Sequence, residues 1–429
     1  MATVRLKKFL NIPAFVMVSI ARKNLLEDIP RFLAAQAGIM FAVSLVTIQT
    51  GIFNGFTRSS TKLINNSTAD IWVASDSMIY LDLTLPMPLA HVNLAREVPG
   101  VANAEALIAT GGVWRHPMGR IAPVRIIGFD PEGQLFIPNN VVQGNKNALK
   151  EPYTVIVDTF NAESLSVRRV GDRAQVNTVP VRVVGLTQGN RSIASNPYMF
   201  TSLESATTYV SSGKTSSVSC RMQSGSKDIQ CTTTYVDPEK NPTPAPKPLS
   251  SLDPITYILI QAQPGENLQA LKKKLDAALP NTRAYTRAEM IRRTEVYWQK
   301  RTGIGFILGL GATVGIIVGA IVVGQILYSS VSEHLKEFGT LKAMGASDWT
   351  IYSVIIEQAI WMAILGYIPG MALCFGVATW TLASQGILIL ITPTTAIAVF
   401  GVTILMCTGA AIFAIQKVTR LDPATIFNK

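Results

Sequence analysis

Residues Thr302–Ser332 read TGIGFILGLGATVGIIVGAIVVGQILYSSVS, thirty-one positions without one charged side chain. At the helical rise such a run would reach about 46 Å, more than the ~30 Å hydrocarbon core that roughly 20 apolar residues cross. Two more charge-free runs flank it at a distance. Phe32–Thr57 is long enough for one span. Gln358–Gln416, fifty-nine residues, is long enough for two, with a break near Ala383-Ser384-Gln385-Gly386 and Thr392-Pro393. The pattern predicts four membrane spans in a 1+3 order, with a large domain held between the first and second.

The expected organisation follows from these runs. An amphipathic segment at 1–30 leads into a first span at 31–56. A large α+β domain covers 57–300, with a Ser/Pro-rich excursion at 211–253. A second span at 301–328, a short helical loop at 329–350, spans at 351–382 and 394–416, and a tail at 417–429 complete the chain. Lys and Arg near span ends set orientation. Arg5, Lys7, Lys8, Arg22, Lys23 and Arg31 precede the first span, Lys336 and Lys342 sit in the loop, and Lys417, Arg420 and Lys429 sit in the tail. These segments share one side, which the rule makes cytoplasmic, so the large domain is expected to be extracytoplasmic. The first span is expected to act as the export signal, since no cleavable leader pattern precedes it.

Hydrophobic residues make up 48% and charged residues 15%, which suits a membrane protein diluted by a water-exposed domain. The formal net charge of +11 raises the question of nucleic acid, but no basic run is interleaved with aromatics. A mildly basic exported domain accounts for the charge better, and no nucleic-acid partner is expected.

Within the domain, Ile71-Trp72-Val73, Pro123–Gly128 and Tyr153–Val157 have strand composition, and 174–185 has a hairpin-like pattern. The run Pro242–Pro248 cannot continue a helix or a central strand. Beyond it, Ile255–Ala262 reads as a strand, Asn267–Leu279 as an amphipathic helix and Asn281–Tyr285 as a strand. Strand, helix, strand predicts a partly ferredoxin-like unit completed by the earlier segment. Arg287–Arg301 has a charged helical pattern and is expected to run unbroken into the second span as one rod.

The sequence argues against chemistry of its own. It has no GxxxxGK[ST], HExxH or GxSxG, and its three histidines, His91, His116 and His334, are far apart. No catalytic residue, metal ligand or cofactor is expected.

Four features stand out instead. In the loop Ser332–Ser347, Leu335, Phe338, Leu341 and Met344 form an apolar stripe at helical spacing. Glu333 and Lys342 flank it, Gly345 suits a left-handed C-cap, and Ser347 can N-cap the next helix. Either the membrane surface or a groove in a cytoplasmic partner would cover such a stripe. In the second span, Gly305, Gly309, Gly311, Gly315 and Gly319 suit close helix packing, although glycine is common in membrane helices anyway. Glu357 is the sole carboxylate within the last three spans. It reads either as a residue within headgroup reach or as a polar contact in the bundle or across a dimer. Cys220 and Cys231 lie in a polar stretch, where an oxidising compartment favours a disulfide over two free thiols. Cys374 and Cys407 read as small buried apolar residues within the spans.

The EFGTLKAMGAS stretch of the loop resembles the coupling helix of ABC transporter permeases of the FtsX/MacB type. The 1+3 layout and the closing Leu421-Asp422-Pro423-Ala424 are similar to that family as well. IPAFVMVSIARKNLL, AAQAGIMFAVSL and VRIIGFDPEG look closest to its DevC-like branch. The excursion at 211–253 departs from the pattern. The resemblance implies a homodimeric permease in the bacterial inner membrane, with cytoplasmic termini and a periplasmic domain. It also implies a separate ABC ATPase that docks at the coupling helix, since the permease would carry no nucleotide site. Motion would pass along long helices to the periplasmic domain, the mode called mechanotransmission. A membrane-fusion adaptor and an outer-membrane channel are the implied partners, and membrane lipid or another amphiphile the cargo. Release of lipoproteins, or FtsX-like regulation of a cell-wall hydrolase without transport, are the alternatives.

Overall fold

The computed structural model describes residues 28–190, 194–212, 216–222, 229–235, 245–301 and 303–419. The amphipathic segment expected over 1–27 and the closing motif at 421–424 lie outside the described residues. Two compact units emerge: residues 1–55 with 303–429, and residues 56–302.

In chain order, helix α1 (Ile29–Ser60) precedes strand β1 (Ile71–Ser75), helix α2 (Ala90–Arg96), β2 (Val101–Arg115), β3 (Ile121–Phe129), β4 (Val141–Gly144), β5 (Thr154–Asp158), β6 (Arg173–Val176), β7 (Val179–Thr187) and β8 (Tyr198–Ser202). Then come α3 (Leu203–Ser211), a hairpin of β9 (Ser216–Met222) and β10 (Ile229–Tyr235), β11 (Tyr257–Ala262), α4 (Leu268–Ala278), β12 (Thr282–Thr286) and α5 (Arg287–Arg301). The chain closes with α6 (Ile304–Glu333), α7 (Leu335–Ala343), α8 (Asp348–Gln385) and α9 (Pro393–Thr419).

The 56–302 unit is built on one ten-stranded sheet, in the order β12-β1-β11-β2-β3-β8-β5-β7-β4, with β6 pairing β2 and β7. Its first four strands are mutually antiparallel. Read as β1-α2-β2-β11-α4-β12, they have the strand order of a ferredoxin-like unit, as the sequence predicts. Alternation along each strand explains the burial. Ile71, Val73, Ile258 and Ile260 pack in one core with Val92, Ala95, Leu271 and Leu275 from the two helices. Trp72, Tyr257, Leu259 and Tyr285 belong to a second core. The long strand β2 serves both halves of the domain. Its first half pairs β11 and its second half pairs β3. Everything from the end of β2 to β11 is therefore an insertion into the ferredoxin-like unit. That insertion carries two parallel pairings, β3 with β8 and β5 with β7. The expected hairpin is present as β6–β7, turned at Asn177, whose φ of +54° suits asparagine in a tight turn.

The Ser/Pro-rich region is more regular than the sequence suggests. It holds the seven-residue strands β9 and β10, in which Ser, Thr and Val are suited to extended backbone. The side chains of this hairpin lie outside the described residues.

Among the described residues, the other unit contains four helices long and apolar enough to cross a membrane, namely α1, α6, α8 and α9. Small residues let them pack: Ala35 and Ala42 of α1, Ala359 and Ala363 of α8, and Ala410, Ala411 and Ala414 of α9 are all buried in one core. Cys374 and Cys407 are free and buried there, as expected. The break between the last two spans is also as expected, with Gly386 in the left-handed region closing α8 and Pro393 starting α9.

One expectation fails. Arg287–Arg301 and the second span do not form a continuous rod. Gly303 stands at φ +68°, a left-handed conformation, and α6 begins afresh at Ile304. A residue in that region ends the right-handed turn, and glycine adopts it without the clash a Cβ would bring.

Candidate functional site

Helix α7 starts without a side-chain cap and is closed at its C-terminal end by a glycine cap. The Phe338 N–H returns to the His334 carbonyl at 3.0 Å. At the other end the Gly345 N–H reaches the Lys342 carbonyl and the Ala346 N–H reaches that of Leu341, both at 3.0 Å, with Gly345 at φ +94°. This paired closure satisfies the last carbonyls of the helix. Ser347 then caps α8, its hydroxyl accepting the Thr350 N–H at 3.3 Å, and Lys342 bridges to Asp348 at 2.9 Å.

The direction of α7 corrects the sequence reading. Phe338, expected to seat in a partner's groove, is 3% exposed and belongs to the core of the four long helices. Leu341 is half-buried against the same core. Phe338 and Leu341 therefore anchor α7 to its own chain. The free face carries Lys336, Glu337, Thr340 and Met344, which is 62% exposed, followed by Trp349 at 74%. The Leu335 side chain lies outside the described residues.

Glu333 does not lie on α7. It ends α6 and forms an ion pair with Arg31 at the start of α1. Around this pair lies a cavity of about 440 Å³ lined by Asp28, Arg31, Phe32, Glu333, His334 and Glu337. Charged groups from α1, α6 and α7 thus meet beside the exposed face of α7.

Three of the predicted glycines sit in tight contact. A Cβ on Gly311 would come 2.7 Å from Gln49, on Gly315 2.8 Å from Leu45, and on Gly319 2.6 Å from Ala42. These are one face of α6 against one face of α1. Gly309 has nothing within 4 Å and takes no part, and Gly305 is half-buried. The sequence reading missed a second glycine pair on α1. A Cβ on Gly55 would lie 1.7 Å from the Leu388 carbonyl oxygen, and one on Gly51 2.6 Å from Ile389. The non-helical segment between α8 and α9 is laid along these glycines. Their spacing of four, Gly51 to Gly55, was the available signal.

Glu357 is half-buried and has no hydrogen-bond or ion-pair partner among the described residues, while its neighbour Gln358 is buried. Of the readings open for Glu357, a hydrogen bond or ion pair within one copy of the bundle is not present among the described residues. Cys220 and Cys231 face each other across the β9–β10 ladder as direct backbone partners. Among the described residues no group of His, Cys, Asp or Glu is placed to hold a metal ion.

Helix α5 begins with a reciprocal cap. The Glu289 N–H donates to the Thr286 hydroxyl at 3.2 Å and the Thr286 N–H to the Glu289 carboxylate at 3.0 Å. Near its other end, aromatic rings are tied together. Tyr297 stacks on Tyr80 at 3.9 Å, Tyr80 meets Trp298 edge-on at 5.6 Å, and Trp298 meets Phe56 at 5.0 Å.

Residues 32–278 match the family model described as the MacB-like periplasmic core domain, and residues 309–423 match the FtsX-like permease C-terminal model. An uncharacterized ABC transporter permease of Mycobacterium tuberculosis is 23% identical over 91% of this chain and 93% of its own length. The macrolide export ATP-binding/permease protein MacB of Agrobacterium fabrum is 25% identical over 70% of this chain, but over only 41% of its own length. Among solved structures, the periplasmic region of MacB from Actinobacillus actinomycetemcomitans covers 54% of this chain and 95% of its own, at 9% identity and a TM-score of 0.33.

Proposed function

This chain belongs to the FtsX/MacB-like permeases of ABC transporters, and from that premise we propose that it is the membrane subunit of an exporter powered by a separate ATPase. Two copies pair in the inner membrane, with the termini and α7 in the cytoplasm and the 56–302 domain in the periplasm. Each α7 receives one ATPase. The cargo is a lipid-like or other amphiphilic molecule, passed on through a membrane-fusion adaptor and an outer-membrane channel in the DevC-like manner.

The observation that supports this reading best is the mounting of α7. Its apolar side is sunk into the chain's own helices through Phe338 and Leu341, its C-terminal end is closed at Gly345, and its polar side with Met344 is left free. A lever that must pass displacement to membrane helices has to be rigidly joined to them and open to its driver. Both conditions are met by the same nine-residue element. The sequence holds no phosphate-binding loop, and a relative described as a permease is matched over 93% of its own length, which supports a driver on a separate polypeptide.

The test is isolation of the intact complex in mild detergent, followed by reconstitution. Co-purification of an ABC ATPase, together with ATP-dependent removal of a labelled amphiphile from the membrane, is the expected result. A permease that purifies without any ATPase, or that activates a cell-wall hydrolase with no loss of lipid from the membrane, would overturn it.

A further inference from the structure

We propose that a basic groove in the 56–302 domain binds the anionic phosphate-bearing headgroup of a membrane amphiphile. The groove has a volume of about 650 Å³ and is formed by α4, β12, α5 and the loop at Ile79. Lys272, Arg283, Arg292, Arg293 and Lys300 line it against a single carboxylate, Glu289.

The charges are not equally free. Glu289 already accepts the Lys272 ammonium on both oxygens at 2.9 Å and the Thr286 N–H. Arg293 is spent on structure, giving its guanidinium to the Met78 carbonyl at 2.7 Å and the Ile79 carbonyl at 3.1 Å. That leaves Arg283, Arg292 and Lys300 exposed, with no carboxylate partner among the described residues. Three unpaired cations around one groove, two of them guanidinium forks, suit the charge and hydrogen-bonding chemistry of a phosphate monoester or diester.

A second, independent feature lies in the wall of the same groove. Tyr285 lines the groove, is only 7% exposed, and its hydroxyl has no hydrogen-bond partner. Buried hydroxyls in folded proteins are nearly always paired, so one left unpaired on a cavity wall marks a place where an acceptor arrives. Its ring is fixed by the Arg293 guanidinium, 5.3 Å from the ring centre.

The setting selects a lipid over a soluble anion. Lys300 lies four residues before Ile304 in the chain, so even at full extension no more than about 14 Å of backbone separates it from the start of the second span. Tyr297 on the groove wall is joined through Tyr80 and Trp298 to Phe56, in the last turns of α1. Tyrosine and tryptophan gather at the level of lipid headgroups. Ile79, Val296 and Tyr297 add an apolar wall beside the cations. An amphiphile satisfies both surfaces at once, and free phosphate satisfies one.

This inference deepens the export reading by giving its cargo class a place of first contact, but binding can be measured without transport. Purified full-length permease in a neutral detergent, without ATPase, is titrated calorimetrically with short-chain phosphatidylglycerol, with phosphatidylcholine of equal chain length, and with inorganic phosphate. Saturable binding of phosphatidylglycerol is expected, with phosphatidylcholine and phosphate each at least about tenfold weaker, the scale of one lost charge-assisted contact. The triple variant R283Q/R292Q/K300Q should lose that preference, and Tyr285→Phe should weaken phosphatidylglycerol several-fold with an unchanged melting temperature. Equal affinity for phosphatidylglycerol and phosphatidylcholine, phosphate binding as tight as the lipid, or an unaltered triple variant would each overturn the assignment. Lipid binding that persists in a complex unable to export would leave this site standing and remove only the export reading.

Discussion

The Leu390 N–H donates to the Gly51 carbonyl at 2.9 Å, joining the irregular stretch between the last two long helices to the middle of the first. In a hydrocarbon setting an open backbone group costs several kcal/mol, so non-helical chain survives only where protein supplies a partner. The glycines at 51 and 55 make that approach possible. Gly55→Ala should therefore destabilise the membrane unit by roughly 1–3 kcal/mol, as overpacking does, and Gly55→Val by more. Thermal melting of the detergent-solubilised protein measures it. Wild-type melting of Gly55→Val would mean that the segment is not seated there.

Phe338 and Met344 should separate folding from coupling. Phe338→Ala removes a core side chain and should lower the melting temperature and the amount of protein in the membrane, with a cost of about 3–5 kcal/mol if the site cannot collapse. Met344→Asp alters only the exposed face and should leave melting unchanged while the ATPase no longer co-purifies. Intact co-purification from Met344→Asp, or from Met344→Asp combined with Lys336→Glu, would remove this face from the docking surface.

The contrast between those two residues shows where sequence reading stops. Four spans were legible because a charge inside a bilayer is too costly to hide, and the caps at Gly345 and Ser347 were legible because few residue types do that work. The ferredoxin-like pairing was half legible, since β11, α4 and β12 adjoin in sequence. An apolar stripe, by contrast, states that something covers it but not what, and Phe338 is covered by its own chain. Gly303 was hidden among the other glycines of its run, because only its φ distinguishes a hinge from a packing position. The basic groove draws on residues from Ile79 to Lys300, a span over which no spacing rule reaches.

The ion pair of Arg31 with Glu333 ties the start of α1 to the end of α6. Exposed pairs contribute little because water screens them, so neither single substitution should unfold the protein. A role in coupling would show as a charge-swap rescue. Arg31→Glu alone should reduce ATPase stimulation by the permease, and adding Glu333→Arg should restore it. A double variant no better than the single one would reduce the pair to an incidental contact.

Glu289 gives the periplasmic domain an acid limit. Burial alone would raise its carboxyl, but hydrogen bonds from Lys272, the Thr286 N–H and Gln269 together hold it below the ordinary range. A carboxylate with a depressed folded-state pKa adds stability that is present above its unfolded value, near ~4.3, and is lost as pH falls through the folded value. The fall in melting temperature on acidification from about pH 6 to below about pH 4 should therefore be smaller in Glu289→Gln than in the native chain. Identical pH profiles would show that the α5 cap does not depend on the charge.

The register of β9 and β10 makes a crosslink between Cys220 and Cys231 geometrically direct, since paired strand positions bring Cα atoms to about 4.5–5.5 Å, within the range a disulfide spans. Non-reducing peptide mapping of membranes prepared with a thiol-alkylating agent should recover one linked pair. The bond would fix the hairpin locally and should leave global melting little changed after reduction. Recovery of both residues as alkylated thiols would show that the hairpin holds its register without it.

The interruption at Gly303 changes which helix is expected to carry motion. Helix α1 is unbroken over its thirty-two residues from Ile29 to Ser60, whereas the helical run that includes α5 and α6 is divided by a left-handed glycine. A rigid rod transmits displacement along its axis, while a hinge absorbs it as rotation. A Gly-Ser-Gly insertion between Arg58 and Ser59 should therefore stop export and preserve ATPase binding and basal hydrolysis. The same insertion directly after Gly303 should be tolerated far better, because the chain already bends there. Gly303→Ala should cost roughly 1–2 kcal/mol if the bend is obligatory, the price of a Cβ in that conformation. Normal export from the α1 insertion, or equal loss from both insertions, would contradict a division of labour between rod and hinge.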